Sequence, residues 1–303
     1  MHTKKNTSKK IIKVLMISVR SDIGGGPKHL YDLSKTLKSR DDIEICIASP
    51  NESPFGEKFC QLAKHIRIPH RKFCPISLIK LTYFAKRNGY KIIHSHGRGA
   101  GIYSRLMSLF GLKVIHTFHG IHFDNNSIIS KIKLNIDRVL LHLTDHFISV
   151  SSDEKEKAIE LKVGSSDNTS VILNGVDLDF FSNRKKIENK VLTFGYLARF
   201  NYQKGLDILI EYVDRYKREN SNTDFTIKIA GDGEDFDAIK QSIQRLNLSD
   251  KVHLLGPTNE PEKFLDQIDW YISFARWEGL PLSVLEAMAS STPCLLSNVL
   301  GHY

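Results

Sequence analysis

The sequence predicts an α/β fold of two doubly wound parallel-sheet domains with a cleft between them, and three observations predict it. Short apolar runs of strand length recur along the chain, and each is followed by apolar residues at helical spacing. The pattern restarts after a polar, basic stretch near residue 185. Length agrees, because 303 residues correspond to about two domains at roughly 150 residues each. The boundaries read as a first domain over 1–180, a linker over 181–190 and a second domain over 191–303.

The first run, Lys13–Val19, is continuously apolar after its lysine, as expected of a strand buried on both faces of a parallel sheet. Gly24-Gly25-Gly26 turns the chain, and Leu30, Leu33 and Leu37 then share one helical face. Ile43–Ala48 reads as a strand, 75–88 as a helix and Lys91–His96 as a strand. Residues 100–110 are helical, Lys113–His119 a strand, 128–143 helical and His146–Val150 a strand. Val171–Asp177 leads into Ser182–Lys190, whose composition suits an interdomain linker. Beyond it, strands are expected at Val191–Leu197, Phe225–Ala230, Lys251–Leu255, Asp269–Phe274 and Pro293–Ser297. Helices fall between them at 205–219, 234–246, 260–267 and 282–289. Strands alternating with helices imply βαβ units, and the crevice at the carboxyl ends of such strands is where ligands bind.

Composition narrows the function classes. At 41% hydrophobic and 25% charged residues the chain is ordinary globular material rather than disordered or coiled coil. No apolar run reaches the ~18–20 residues that span a bilayer. Ile11–Val19 follows a basic start but contains Lys13 and lacks a small-residue cleavage site, so it reads as a strand and not a signal peptide. Cys46, Cys60, Cys74 and Cys294 are scattered, which argues against a disulfide framework and fits a reducing cytoplasm. Charge is uneven: residues 1–183 hold 28 Lys and Arg against 17 Asp and Glu (+11), and residues 184–303 hold 15 against 17 (−2), summing to the net +9. A basic first half suggests an anionic partner there, such as a membrane surface of anionic headgroups; solvated lysines are the plainer alternative. Nucleic acid is not expected, since the basic residues do not interleave with aromatics and no binding motif appears.

The sharpest local pattern is Arg276-Trp-Glu278-Gly-Leu-Pro-Leu-Ser-Val-Leu-Glu286. Gly279 and Pro281 prevent one helix from spanning both carboxylates, so Glu278 should lie on a loop after a strand and Glu286 in the following helix. The N-terminus of that helix offers free N–H groups and a positive dipole end, suited to a diphosphate. Ser283-x-x-Glu286 also fits a capping box, which would place Glu286 there for helix stability alone.

This E-x7-E element resembles that of retaining GT-B glycosyltransferases of glycosyltransferase family 4, and six further elements agree. Ile17–His29, with Gly24-Gly25-Gly26, is similar to the family's glycine loop. Ile92-Ile-His-Ser-His96-Gly97 and Thr117-Phe-His119-Gly120 resemble its two histidine-bearing strand ends. Asn174-Gly175-Val-Asp177 resembles its interdomain N-G-[IV]-D element, Arg199 to Gly205 its R-x4-K-G element, and Leu255-Gly256-Pro257 its loop under the base. The elements follow family order over essentially the whole chain.

The resemblance implies two facing Rossmann-like domains and transfer of a sugar, with retention, from a nucleotide-sugar to a glycan or polyprenyl-linked acceptor in cell-surface polysaccharide or lipopolysaccharide synthesis. UDP is the commonest nucleotide in such enzymes. Arg199 and Lys204 would clamp the donor diphosphate, Glu286 would hold the ribose and Glu278 the hydroxyls of the transferred sugar. Backbone amides from Leu280, Pro281, Leu282 and Ser283 would border the diphosphate, although proline itself supplies no N–H. Gly25 and Gly26 would allow close backbone approach to donor and acceptor, and His119 would position the sugar. Outside the motif context, Arg199 and Lys204 would read as surface cations and the glycines as an ordinary tight turn. The resemblance implies no cofactor and no essential metal, because the clamp cations take a metal's place. His116, His119 and His122 recur at i, i+3 and i+6 across a strand running into a loop, which does not align three imidazoles, so no metal site is expected from them.

Two departures bear on activity. Family members continue past the point where Tyr303 ends this chain, and Ser291-Thr292-Pro293 replaces a turn that usually carries glycine. A truncated second domain with an exposed apolar sheet edge is therefore expected, and an inactive nucleotide-sugar-binding remnant is the competing reading. A GT-B nucleotide-sugar epimerase is a third, disfavoured by the pairing of R-x4-K-G with E-x7-E.

Overall fold

The computed structural model of the chain describes residues 11–121, 123, 127–182, 185–220 and 224–302. It divides into two compact units at Ile172/Leu173. In the first, strands β1 (Ile12–Ile17), β2 (Ile43–Ser49), β3 (Lys64–Arg67), β4 (Ile92–His96), β5 (Lys113–Thr117), β6 (His146–Ser149) and β7 (Thr169–Val171) form one parallel sheet in the order β3-β2-β1-β4-β5-β6-β7. Helices α1 (Gly25–Lys38), α2 (Phe55–Leu62), α3 (Pro75–Asn88), α4 (Arg98–Ser108), α5 (Ile128–Leu140) and α6 (Ser152–Glu160) connect the strands.

The two-sided burial of this sheet can be followed residue by residue. Leu15 and Ile17 of β1 pack with Cys46 and Ala48 of β2 against Leu81, Ala85 and Tyr103. Their neighbours Val14 and Met16 pack with Ile45 and Ile47 against Leu30, Phe55 and Phe59. Alternate side chains point to opposite faces of a strand, so a continuous apolar run supplies both layers at once. Sequence order reverses at β1, which lies between β2 and β4. The connections after these strands therefore part at their carboxyl ends, leaving a crevice.

The second unit begins with α7 (Leu178–Ser182) and continues through β8 (Leu192–Leu197), α8 (Leu206–Glu219), β9 (Phe225–Ala230), α9 (Phe236–Arg245), β10 (Val252–Gly256), α10 (Pro261–Leu265), β11 (Trp270–Ser273), α11 (Leu282–Ala289) and β12 (Cys294–Leu296). Its parallel sheet runs β10-β9-β8-β11-β12, so the reversal falls between β8 and β11. One core joins Tyr196, Phe200, Ile229, Leu265 and Tyr271. Leu295, on the strand next to β11, is 55% exposed.

Several segments differ from the sequence expectation, β7 and α7 among them. Helix α2 and strand β3 were not anticipated, because Lys64-His-Ile-Arg67 is a short polar edge strand with little alternation. Helix α6 was not anticipated either; Ser151 Oγ caps it by accepting from the Glu154 amide at 3.2 Å. The stretch expected to be a linker packs on the second unit. Phe181 is buried in that core, the Ile187 N–H donates to Asp266 O at 2.8 Å, and Asn189 Nδ2 donates to Asp269 Oδ1 at 3.1 Å. Among the described residues, no helix is long and apolar enough to cross a membrane.

Candidate functional site

In the second unit the loops after β8 and β11 carry most of the singled-out residues to one place. Half-buried Arg199 follows β8, and the next residues form a 3-10 turn, Tyr202–Lys204, ended by Gly205 at φ 61°. A Cβ at Gly205 would lie 2.0 Å from Phe274 O, so only glycine lets this turn lie against the loop after β11. The Arg276 N–H donates to Gln203 O at 2.8 Å across the contact. Below it, the Arg276 guanidinium grips both Asp207 carboxylate oxygens at 2.8 and 2.5 Å and rests 3.9 Å from the Tyr202 ring centre.

That close approach pairs the Lys204 ammonium with Glu278 Oε1. Gln203 Nε2 donates to Glu278 Oε2 at 3.3 Å and to Trp277 O at 3.0 Å, and the Glu278 N–H donates to Leu300 O at 3.1 Å. The paired side chains are 17% and 8% exposed, so solvent screens them little. A cation held this way can be handed from the carboxylate to an incoming phosphate without reorganisation of the protein. Behind it, Tyr196 donates to Lys204 O at 2.8 Å. The Tyr271 hydroxyl lies 2.8 Å from Ser283 Oγ and 3.2 Å from Leu197 O. Burial, before any neighbouring charge, pushes both phenols up, so they remain hydrogen-bond donors.

Leu280 and Pro281 form the approach to α11, and Leu282 and Ser283 its first turn. Asn174 Nδ2 fixes the approach by donating to Leu280 O at 2.7 Å. The capping-box alternative for Glu286 does not hold. Pro281 is the N-cap, and Ser283 lies inside the helix with its hydroxyl beside Tyr271. Glu286 sits further along, 3% exposed. A carboxylate buried to that extent is unusual for a helix cap, which marks Glu286 as a functional candidate rather than a surface cap.

In the first unit the crevice beside β1 and β4 gathers imidazoles. Gly25 and Gly26 open α1, and a Cβ at Gly26 would reach His119 Cδ2 at 3.9 Å. His29 lies 4.8 Å ring to ring from His119 and 5.5 Å from His96, and His96 Nδ1 lies 3.4 Å from His119 Nε2. His94 packs against His96 at 4.2 Å and bonds Thr117 Oγ1 at 2.8 Å. Burial pushes His94 down to about 3, and burial first, neighbouring imidazoles second, hold His96 and His119 well below the usual imidazole range. Of the histidines weighed in sequence as a metal set, His116 faces Ser95 at 2.9 Å, and His122 lies outside the described residues. The structure gathers a different set, His29, His96 and His119.

Glu154 was missed altogether. It is buried in α6, and its carboxylate accepts the Gly120 N–H at 2.6 Å and the Val150 N–H at 2.8 Å, fixing the backbone next to His119. Burial pushes its carboxyl up against the effect of these two donors. In sequence it looks like a first-turn acid placed for the helix dipole. Gln203 was also passed over, although it stands next to Lys204 in a motif already singled out.

Residues 23–180 match the model of Glycosyltransferase Family 4 and residues 177–303 that of Glycosyl transferases group 1. The chain belongs to Glycosyltransferase Family 4. It is 31% identical over 242 residues to an Escherichia coli UDP-Gal:alpha-D-GlcNAc-diphosphoundecaprenol alpha-1,3-galactosyltransferase, covering 75% of this chain and 62% of that protein. It is 26% identical to the Escherichia coli O-antigen biosynthesis glycosyltransferase WbnH, covering 95% of this chain and 81% of the relative. The fold is similar to that of Anabaena Alr3699/HepE in complex with UDP and glucose, at a TM-score of 0.80 and 19% identity over 96% of this chain and 82% of that one. Both units thus have the doubly wound sheets of the GT-B class.

The buried imidazoles generate a pH prediction. A histidine whose folded pKa lies below its unfolded value of about 6.5 contributes stability present above pH 6.5 and lost as pH falls toward the folded value. For His94, taking the pH from 7 to 5 should cost about 2 kcal/mol. Denaturant unfolding across that range should show stability falling with acid, with a shallower fall in His94→Gln. An equal slope in both proteins would contradict the assignment.

Proposed function

We propose that the chain transfers a sugar from a UDP-sugar to a glycan or polyprenyl-diphosphate-linked acceptor in cell-surface polysaccharide or lipopolysaccharide synthesis, with retention at the anomeric carbon. The observation that carries the reading is the Gln203–Lys204–Glu278 assembly beside the start of α11, at the point where the second sheet reverses order. Relatives named for UDP-galactose transfer and O-antigen synthesis support the substrate classes. So does a similar fold named in complex with UDP and glucose.

In this reaction the bond between the sugar's anomeric carbon and the diphosphate oxygen breaks. An acceptor hydroxyl forms the new bond and gives up its proton to an oxygen of the departing diphosphate. Negative charge grows on the diphosphate as it leaves, so fixed cations in a site of low exposure lower the barrier. Lys204 and Arg199 supply them, with the N–H groups of Leu282 and Ser283 at the start of α11. Glu278, once its ammonium partner turns to phosphate, accepts hydroxyls of the transferred hexose, and buried Glu286 accepts those of the ribose. Gly25 and Gly26 admit the substrate close to the backbone, and His119, braced through Gly120 by Glu154, positions the sugar. None of these roles requires a metal or cofactor.

We further propose that the enzyme works at the inner face of the cytoplasmic membrane. Ile128, Ile129, Ile132 and Val139 of α5 are 74%, 63%, 55% and 72% exposed, beside exposed Lys131 and Lys133. Apolar residues flanked by lysines on one helix suit an anionic lipid surface.

Purified protein incubated with a panel of UDP-sugars and synthetic undecaprenyl-diphosphate-linked GlcNAc should give one transfer product, with the anomeric configuration read by NMR. Lys204→Ala should lower kcat/KM about 100-fold or more. Unchanged turnover in that variant, or a folded protein inert to every donor, would remove the assignment. Flotation with phosphatidylglycerol-rich vesicles should succeed at about 0.05 M salt and fail at about 0.5 M. An Ile129→Ser/Ile132→Ser double variant should not float; flotation equal to that of the unsubstituted protein would defeat the membrane reading.

A further inference from the structure

At the carboxyl ends of the first sheet, on the side of β1 opposite β4, the loops after β1 and β3 meet. Arg20 Nε and Nη2 donate to Asp22 Oδ1 and Oδ2 at 2.7 and 2.9 Å, and Arg71 Nη2 donates to the same Oδ2 at 3.0 Å. One carboxylate thus holds two guanidiniums and neutralises only one of their charges. Next along the chain, α3 turns Ile76, Ile79 and Tyr83 outward, 64%, 68% and 62% exposed. We propose that Arg20 and Arg71 bind the diphosphate of an isoprenoid-diphosphate-linked acceptor, whose apolar chain lies along this face of α3. The inference deepens the transferase reading and rests on it for the acceptor's role.

The backbone is arranged to present the two arginines. Arg71 has φ 51°, a left-handed conformation that few residues other than glycine adopt, and such strain clusters where ligands are held. Its N–H donates to Val19 O at 2.9 Å, and the Phe55 N–H donates to Ser21 O at 3.0 Å. The loops after β2 and β3 are thereby both tied to the loop after β1. Tyr103 fixes the far side, accepting the Cys74 N–H at 2.7 Å and donating to Lys72 O at 3.2 Å. Arg20 Nη2 also donates to Ile23 O at 3.1 Å, which sets the cations against the glycine turn that opens α1. Glu52 reaches the same end of the sheet, where Ser21 Oγ donates to it at 3.3 Å and His70 Nδ1 faces it at 3.4 Å.

The chemistry of the site selects a ligand with phosphate oxygens and an apolar tail. Guanidinium forks match phosphate oxygens in geometry and charge. Arg20 and Asp22 side chains are 25% and 30% exposed and that of Arg71 53%, so an anion can reach them from solvent. Exposed Lys72 and Lys80 add positive charge at the rim. Residues 1–100 together hold 20 Lys and Arg against 7 Asp and Glu, a balance that draws anions. Burial works against the Asp22 carboxyl, yet the Arg20 hydrogen bond and the charges of Arg20 and Arg71 hold it below the usual carboxylate range. An ionised Asp22 therefore competes with the ligand for both arginines. Phe73, 44% exposed and two residues past Arg71, begins the apolar run that Ile76, Ile79 and Tyr83 continue on one helical face. An inorganic phosphate would use the arginines and leave that face uncovered, whereas an isoprenoid diphosphate covers both.

Farnesyl diphosphate, a soluble isoprenoid diphosphate, is titrated calorimetrically into the full-length protein without donor, so the test does not depend on turnover. It should bind at one site per chain and at least about tenfold tighter than inorganic pyrophosphate. Arg20→Gln and Arg71→Gln should each weaken it at least about tenfold, and an Ile76→Ser/Ile79→Ser double variant should reduce it to the pyrophosphate level. Asp22→Asn should leave binding as tight or tighter. Arg40→Gln should change nothing, because Arg40 makes the same two-bond contact with Asp42, at 2.9 and 2.8 Å, but precedes β2 at the amino end of the sheet. UDP affinity should be equal in all of these variants. With undecaprenyl-diphosphate-linked GlcNAc as acceptor, Arg71→Gln should raise the acceptor KM and leave kcat nearly unchanged. Thermal melts separate loss of ligand from loss of fold, and Arg71→Gln, at an exposed side chain, is the variant best placed to stay folded. Full farnesyl diphosphate affinity in a folded Arg71→Gln, or pyrophosphate bound as tightly as farnesyl diphosphate, would overturn the proposal. A protein inert in transfer that still binds farnesyl diphosphate through Arg20 and Arg71 would uphold the site and count against the transferase reading alone.

Discussion

Lys204 and Glu278 reach one another because the backbone at Gly205 lies where a side chain would collide with Phe274 O. The rest of the second unit's candidate site is arranged around that approach. Gln203 and Arg276 stitch the two loops together through backbone groups, Asp207 anchors Arg276, and Tyr196 holds Lys204 O from behind. A mostly buried cation with one carboxylate partner is stable in the absence of substrate and available to a phosphate. The arrangement is therefore preorganised, which is what electrostatic stabilisation of a leaving diphosphate requires.

The same topological rule organises both units. In a parallel sheet buried on both faces, strand interiors are mostly apolar and their few polar side chains bond one another, so open polar chemistry gathers at the carboxyl ends. His96 ends β4 just where the first sheet reverses order, and Arg199 and Glu278 follow the two strands between which the second does. What the units place there differs. The second supplies cations, a helix N-terminus and carboxylates, whereas the first supplies neutral imidazoles held by Thr117 and, through the Gly120 backbone, by Glu154.

Much of this was legible in sequence, for a physical reason. Strands such as Lys13-Val-Leu-Met-Ile-Ser-Val19 must be apolar on both faces, and the charged residues that interrupt the pattern after them stand out. Glu278 and Glu286 drew attention by their spacing across Gly279 and Pro281, and Arg199 and Lys204 only through the family resemblance. The edge strand Lys64–Arg67 was not legible, because a short polar edge needs no alternation. The apparent capping box at Ser283 was misleading because Pro281 had already started the helix. The approach of His29, His96 and His119 depends on β1 lying next to β4, and strand order is not written in local spacing. Glu154 looked like a helix-dipole acid because only tertiary structure brings the Gly120 N–H to it.

The central claim is that Lys204 is a diphosphate cation held ready by Glu278, and calorimetric titration of UDP tests it most directly. Lys204→Ala should weaken UDP binding at least about tenfold, about 1.4 kcal/mol. Glu278→Gln should leave UDP binding as tight or tighter, since it frees the ammonium, while weakening the added affinity contributed by the sugar. Equal UDP affinity in Lys204→Ala and the unsubstituted protein would contradict the account.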